Sequence, residues 1–143
     1  MKPEMSRCPM AGAVPRGLDK VKIGSQARQK FSGSLANNTK WNELLTFIRE
    51  QDSWRPSYRS KWVNGHVSAW DREWFYHLPF PFVGVEWFDI GLHERASAKE
   101  GTIDHAALIV SKLAEIGFEF EVKDDVVRIW GYAPKPYEDF PPA

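Results

Sequence analysis

Residues 54–88 read WRPSYRSKWVNGHVSAWDREWFYHLPFPFVGVEWF and carry eleven of the chain's twenty aromatic side chains, five of its seven tryptophans among them. Trp and Tyr combine large apolar area with a polar handle, so this density marks either the core-forming sheet of a small domain or a surface built to grip something. At its centre, Asn64-Gly65 separates two strand-like runs, Tyr58–Val63 and His66–Trp70. Asn-Gly in that setting is a strong hairpin signal, because both residues accept the positive φ of a type I′ turn. A two-residue loop pairs Val63 with His66, Trp62 with Val67, Lys61 with Ser68, Ser60 with Ala69 and Arg59 with Trp70. Alternation then puts Trp62, Val67 and Ala69 on the core face. Lys61, His66, Ser68 and Trp70 take the other, where Arg59 lies over Trp70 in a cation–π contact. Asp71-Arg72-Glu73 interrupts the apolar pattern as a bend. Trp74–Leu78 reads as the next strand, stopped by Pro79 and Pro81, and Val83–Ile90 as a fourth, giving a four-stranded meander.

Upstream of this stretch, Asn37-Asn38-Thr39 supplies a polar cap for a helix that ends near Asp52. Its apolar positions Trp41, Leu44, Leu45 and Ile48 fall on one face, and Phe47 widens the stripe enough to pack on a sheet. Downstream, residues 91–101 are a polar connection. A second helix follows, capped by Thr102 or Asp104, with Ala106, Ile109, Val110, Leu113 and Ile116 on one face and Gly117 as terminator. Phe118, Phe120 and Val122 then alternate with Glu119, Glu121 and Lys123, turn at Asp124-Asp125 and return as Val126–Trp130, a hairpin with one buried and one charged face. The whole predicts an α+β fold, a mainly antiparallel sheet made of the four-stranded meander plus the C-terminal hairpin, with two helices packed on one face. Residues 37–132 form the single α+β domain in this reading. Residues 1–36, with scattered Pro and Gly and no sustained apolar period, are a basic, loosely docked tail. Residues 133–143 are an extended Pro-rich segment that wraps the surface.

The chain has 143 residues, 43% of them apolar, enough for one core without metal or disulfides. Its neutral total hides an asymmetry: residues 1–36 hold seven Lys/Arg against two acidic residues, so the remainder carries a net charge of −5. The acidic body argues against phosphate binding. Cys8, the sole cysteine, has no partner in the chain and suits a reducing cytoplasm. No run approaches the length of a membrane span, and no secretory signal is evident.

NNTKWNEL, WVNGHVSAWDREWFYH, VEWFDI and IGFEFEVKDDVVRIWGY together resemble a bacterial family catalogued as a domain of unknown function, DUF6678, over about residues 37–132. The Trp-Asp-x-Glu-Trp segment is the most specific part. The resemblance implies a small stand-alone domain, similar to the immunity proteins and accessory domains found beside secreted toxins, and it carries no catalytic residues over.

Asp71 and Glu73, two apart between Trp70 and Trp74, have two readings. Aromatic walls can raise a carboxyl pKa, as a general acid requires, which gives an enzyme or small-ligand site with His77 in an aromatic cleft. The bland reading is a turn whose carboxylates cap backbone amides. No pair among His66, His77, His93, Glu94 and Asp71 has a readable metal spacing, so neither metal nor cofactor is expected. Aromatic residues beside Arg and Lys also suit single-stranded nucleic acid, a reading the acidic body disfavours. Trp, Tyr and Arg are equally the residues of protein-interface hot spots. The expectation is therefore a cytoplasmic, non-enzymatic protein-binding domain that contacts its partner through Arg59, Trp70, Asp71, Arg72 and Glu73. A basic toxin domain is the most specific form of that partner.

Overall fold

The computed structural model describes residues 17–52, 54–95 and 101–142, and within them the chain folds as an α+β protein. In chain order the elements are α1 (Gly17–Lys30), β1 (Gly33–Ser34), α2 (Asn38–Arg49), β2 (Tyr58–Trp62), β3 (Val85–Gly91), β4 (His93–Arg95), β5 (Thr102–Asp104), α3 (Ala106–Ile116), β6 (Phe120–Lys123), β7 (Val126–Trp130) and β8 (Tyr132–Ala133). The central sheet has the order β2-β3-β7-β6, every neighbouring pair antiparallel, and β1 with β8 and β4 with β5 form two small pairs. The expectation for Cys8 concerns a residue outside those described.

Helix α2 starts where Asn37 accepts the Lys40 N–H on its side chain, and it buries Trp41, Leu44, Leu45 and Ile48 as the spacing predicts. Helix α3 ends at Gly117, whose φ of 96° lies in the left-handed region open to glycine. Its N-cap is His105, with Asp104 accepting the Ala106 N–H, rather than Thr102 or Asp104 as the cap itself. Both helices lie over one face of the sheet, where their apolar residues join Phe88, Ile90, Val127 and Ile129 in one core. Residues 17–34, expected as part of a loosely docked tail, instead form α1 and β1. Ala27 is buried in the same core, Phe31 stacks on Tyr132, and Lys30 Nζ donates to Val63 O at 3.0 Å.

The meander is where the chain departs from its pattern. Val63 N–H donates to Gly84 O, which pulls Val63 out of the hairpin and into the core. The loop is then three residues long: Gly65 N–H donates to Trp62 O, Gly65 alone takes positive φ, and Trp62 N–H donates to His66 O. Lys61 consequently pairs with Val67 instead of Ser68, and the expected register returns only at Tyr58–Asp71. Residues 66–70 make isolated bridges rather than a strand, and Val67 and Ala69, expected in the core, are exposed. Trp74–Leu78 is not a strand either. The four-stranded sheet is completed by the C-terminal hairpin, not by a meander.

The second face of the sheet is buried too. Every residue of β7 is buried, because Trp87, Val126 and Trp130 form a smaller cluster there, covered by Phe140 of the C-terminal segment and by Leu35. On β7 the expected charged face is thus a second interior, roofed by the segment after β8, while on the neighbouring strand Glu119 stays exposed and Glu121 and Lys123 half-buried.

Candidate partner-binding surface

The bend between Asp71 and His77 is held by its own carboxylates. Asp71 pairs through its backbone with Tyr58 at 2.8 and 2.9 Å, and its side-chain Oδ1 accepts the N–H groups of Arg72 and Glu73 while Oδ2 sits 2.8 Å from His77 Nδ1. Glu73 Oε1 accepts three successive backbone N–H groups, those of Phe75, Tyr76 and His77. These donors are the ones a ladder would have used, so the segment curls instead of extending. Desolvation works upward on both carboxyls, but these hydrogen bonds outweigh it and hold Asp71 and Glu73 below their ordinary values. Tyr58 OH donates to Glu73 O at 2.6 Å, and burial, with Asp71 and Glu73 nearby, pushes the phenol up.

Two anchors tie this bend to the core. Trp74 and Leu78 are fully buried, and Trp74 Nε1 donates to Pro56 O at 2.8 Å. Between and beside these anchors the other large side chains face solvent: Val67, Trp70, Phe75 and Tyr76 are 39–70% exposed. Phe75 has the guanidinium carbons of Arg49 and Arg55 each 5.2 Å from its ring centroid. Both arginines are fixed from behind, Arg49 Nε on Trp74 O and Arg55 on Arg49 O. The result is an exposed aromatic surface with two guanidiniums held beside Phe75. Arg72 is exposed beside it.

Arg59 belongs elsewhere. It does lie over Trp70, with 5.2 Å from guanidinium carbon to ring, but it is only 6% exposed and its nitrogens serve the second interior. Arg59, Asp89, Arg128 and Glu121 are direct cross-strand neighbours on β2, β3, β7 and β6, a row of alternating charge running across the whole sheet. Asp89 accepts from Arg128 Nε and NH2 at 2.7 and 3.0 Å and from Arg59 Nε at 3.1 Å. Burial pushes the Asp89 carboxyl upward, and the two guanidiniums hold against it. The Arg128 guanidinium stacks 3.6 Å from the Trp87 ring. Sequence reasoning passed over this row. Its signal was a single charge inside each apolar run, Asp89 in Trp-Phe-Asp-Ile and Arg128 in Val-Val-Arg-Ile-Trp, since a charged residue in a buried strand requires a partner.

Among the described residues no group of three or more His, Cys, Asp or Glu side chains gathers as a metal site, and no helix is long and apolar enough to cross a membrane. His105 stacks on Trp54 at 3.7 Å between centroids and meets Glu94 at 3.0 Å.

The described residues thus form an α+β body with exposed aromatics on one bend and an ionic row under the sheet. Residues 23–136 match the model of a family of unknown function, DUF6678, and the chain belongs to that family. It matches no curated protein and no solved structure.

Proposed function

We propose that this chain is a small, non-enzymatic protein-binding domain whose contact surface is the bend around Trp70, Phe75 and Tyr76, and that its most specific role is to neutralise a cognate toxin. The observation that carries the reading is the exposure of those aromatics. Large apolar side chains cost solvation when left in water, and here the backbone that carries Phe75 and Tyr76 is ordered by hydrogen bonds to Glu73. A surface pre-ordered in this way loses little entropy on binding. Trp, Tyr and Arg clustered together have the composition of an interface hot spot. The net charge of −5 on residues 37–143 suits a basic partner such as a nuclease, through charge complementarity that speeds encounter.

Asp71 and Glu73 take a positioning part in this reading. A general acid needs a raised carboxyl and an open proton path, whereas these two are lowered and spent on backbone N–H groups. Arg59 supports Trp70 from beneath, and Arg72 contributes charge at the rim.

The test is a calorimetric titration of the full chain against the product of the gene next to its own. Saturable binding at micromolar or tighter affinity, weakening as salt is raised, is the expected result. No heat of binding at tens of micromolar contradicts the proposal.

A further inference from the structure

The second face of the sheet is organised like a receptor, and its occupant is the chain's own C-terminal segment. Arg128 NH1 donates to Glu138 O at 2.7 Å, Arg59 NH2 to Asp139 O at 2.8 Å, and Trp130 Nε1 to Pro136 O at 2.9 Å. These are main-chain carbonyls, so the sheet reads a backbone, one that turns at Glu138-Asp139, where Asp139 takes a positive φ of 50°. Two acidic side chains are read as well. Asp139 meets Arg59 NH1 at 2.9 Å, and Glu138 meets Lys61 at 2.5 Å and Trp87 Nε1 at 3.3 Å. Phe140 alone is buried, its ring edge-on to Trp130 and 4.8 Å from the Arg128 guanidinium carbon.

A chain end that formed part of the fold's interior in the ordinary way would bury several side chains. This segment leaves Pro134, Lys135, Tyr137, Glu138 and Asp139 exposed and is held by one buried aromatic, Phe140, by the half-exposed Tyr137 ring against Trp130, and by a set of directed polar contacts. That is the anatomy of a bound peptide. The family match bears on the same point from another side: it includes Arg59, Trp87, Arg128 and Trp130 but ends at residue 136, before Glu138, Asp139 and Phe140. The receptor surface lies within the family sequence and most of its occupant outside it.

We propose that the β2-β3-β7 face is a peptide-binding site, occupied in cis by residues 136–140, which takes in trans a protein segment of the same chemistry, a Glu-Asp-aromatic turn following a proline. Arg128, Arg59 and Trp130 hold the backbone, Arg59 and Lys61 fix the acidic pair, and the aromatic ring fills the place of Phe140. The tethered segment competes at a millimolar effective concentration, so the site is gated: a partner displaces it only with an affinity gained from further contacts. Trp70, resting on Arg59, lies where those contacts would continue.

The experiment keeps the full chain and inserts a specific protease sequence between Pro134 and Lys135, which leaves every contact on both sides in place. After cleavage, exchange is followed by fluorescence anisotropy with a fluorescein-labelled synthetic peptide of residues 135–143, while circular dichroism and a thermal melt monitor the body. The expected results are saturable micromolar binding to the cut protein and at least tenfold weaker binding of peptides carrying E138A with D139A, or F140A. The uncut chain should not bind at the same concentrations, and the body should keep a cooperative melt once its own segment has left. Loss of the cooperative melt on release, absence of saturable binding up to millimolar peptide, or equal binding by the uncut chain would each overturn the proposal.

Discussion

Arg128 is wholly buried and charged, and its planar guanidinium has Asp89, the carbonyls of Pro136 and Glu138 and the Trp87 ring around it. Removing one partner of such a group strands the other in a dry interior. Arg128→Met is expected to cost about 3–5 kcal/mol by urea denaturation, because Asp89 then depends on Arg59 alone. Arg128→Lys should recover little of it, since a lysine cannot donate bidentately. Glu86 presents the opposite case. It is 5% exposed, its Oε1 has no hydrogen-bond partner and lies 3.9 Å from Lys61 Nζ, and burial raises its carboxyl above the ordinary value. A raised folded-state carboxyl makes ionisation cost stability as pH climbs through the interval between the unfolded and folded values. Glu86→Gln is therefore expected to be more stable than wild type at pH 7, by on the order of 1 kcal/mol. That advantage should vanish at acid pH, below the ordinary glutamate value of about 4.3. Glu73 runs the other way: its lowered carboxyl contributes stability that is complete above the unfolded value and is lost as pH falls through the folded one. The amide proton shifts of Phe75, Tyr76 and His77, read by NMR, should move together with a midpoint below that of a free glutamate.

At the scale of elements, close approach decides where side chains are forbidden. A Cβ at Gly131 would stand 2.3 Å from Val85 O, a backbone atom that cannot swing away, whereas one at Gly33 would meet nothing within 4 Å. Gly131→Ala should lower the denaturation midpoint by more than roughly 2 kcal/mol equivalent, and Gly33→Ala should stay within about 0.5. The elements legible in the sequence were those written by local rules. Helices α2 and α3 carry a 3.6-residue stripe and a recognisable end each, and the first strand of the C-terminal hairpin alternates strictly from Phe118 to Lys123. Helix α1 was missed because its attachment is Ile23, the small Ala27 and a lysine reaching Val63 O, too few apolar positions to make a sustained period. The strands expected at 66–70 and 74–78 failed for non-local reasons. Gly84, far along the chain, takes the Val63 N–H, and Glu73 takes three donors that pairing needed. Of the candidate contact residues, Trp70 sits at the surface as expected beside Arg59, while Arg59 itself is claimed by a row that only strand register across the sheet brings together.

For the whole molecule, the sheet is an interior on both faces: apolar under the helices, ionic and aromatic under the C-terminal segment. Burying both faces stiffens the platform from which the bend around Trp70 and Tyr76 projects, and a stiff platform is what lets exposed aromatics bind without an ordering penalty. In the proposed function these side chains, rather than the carboxylates between them, carry recognition. The decisive measurement repeats the titration against the neighbouring gene product with Trp70→Ala and Tyr76→Ala, alongside thermal melts of both variants. At least a tenfold loss of affinity is expected for each, about 1.4 kcal/mol or more, with the Tyr76→Ala melt unchanged. Unchanged affinity in both variants would contradict it.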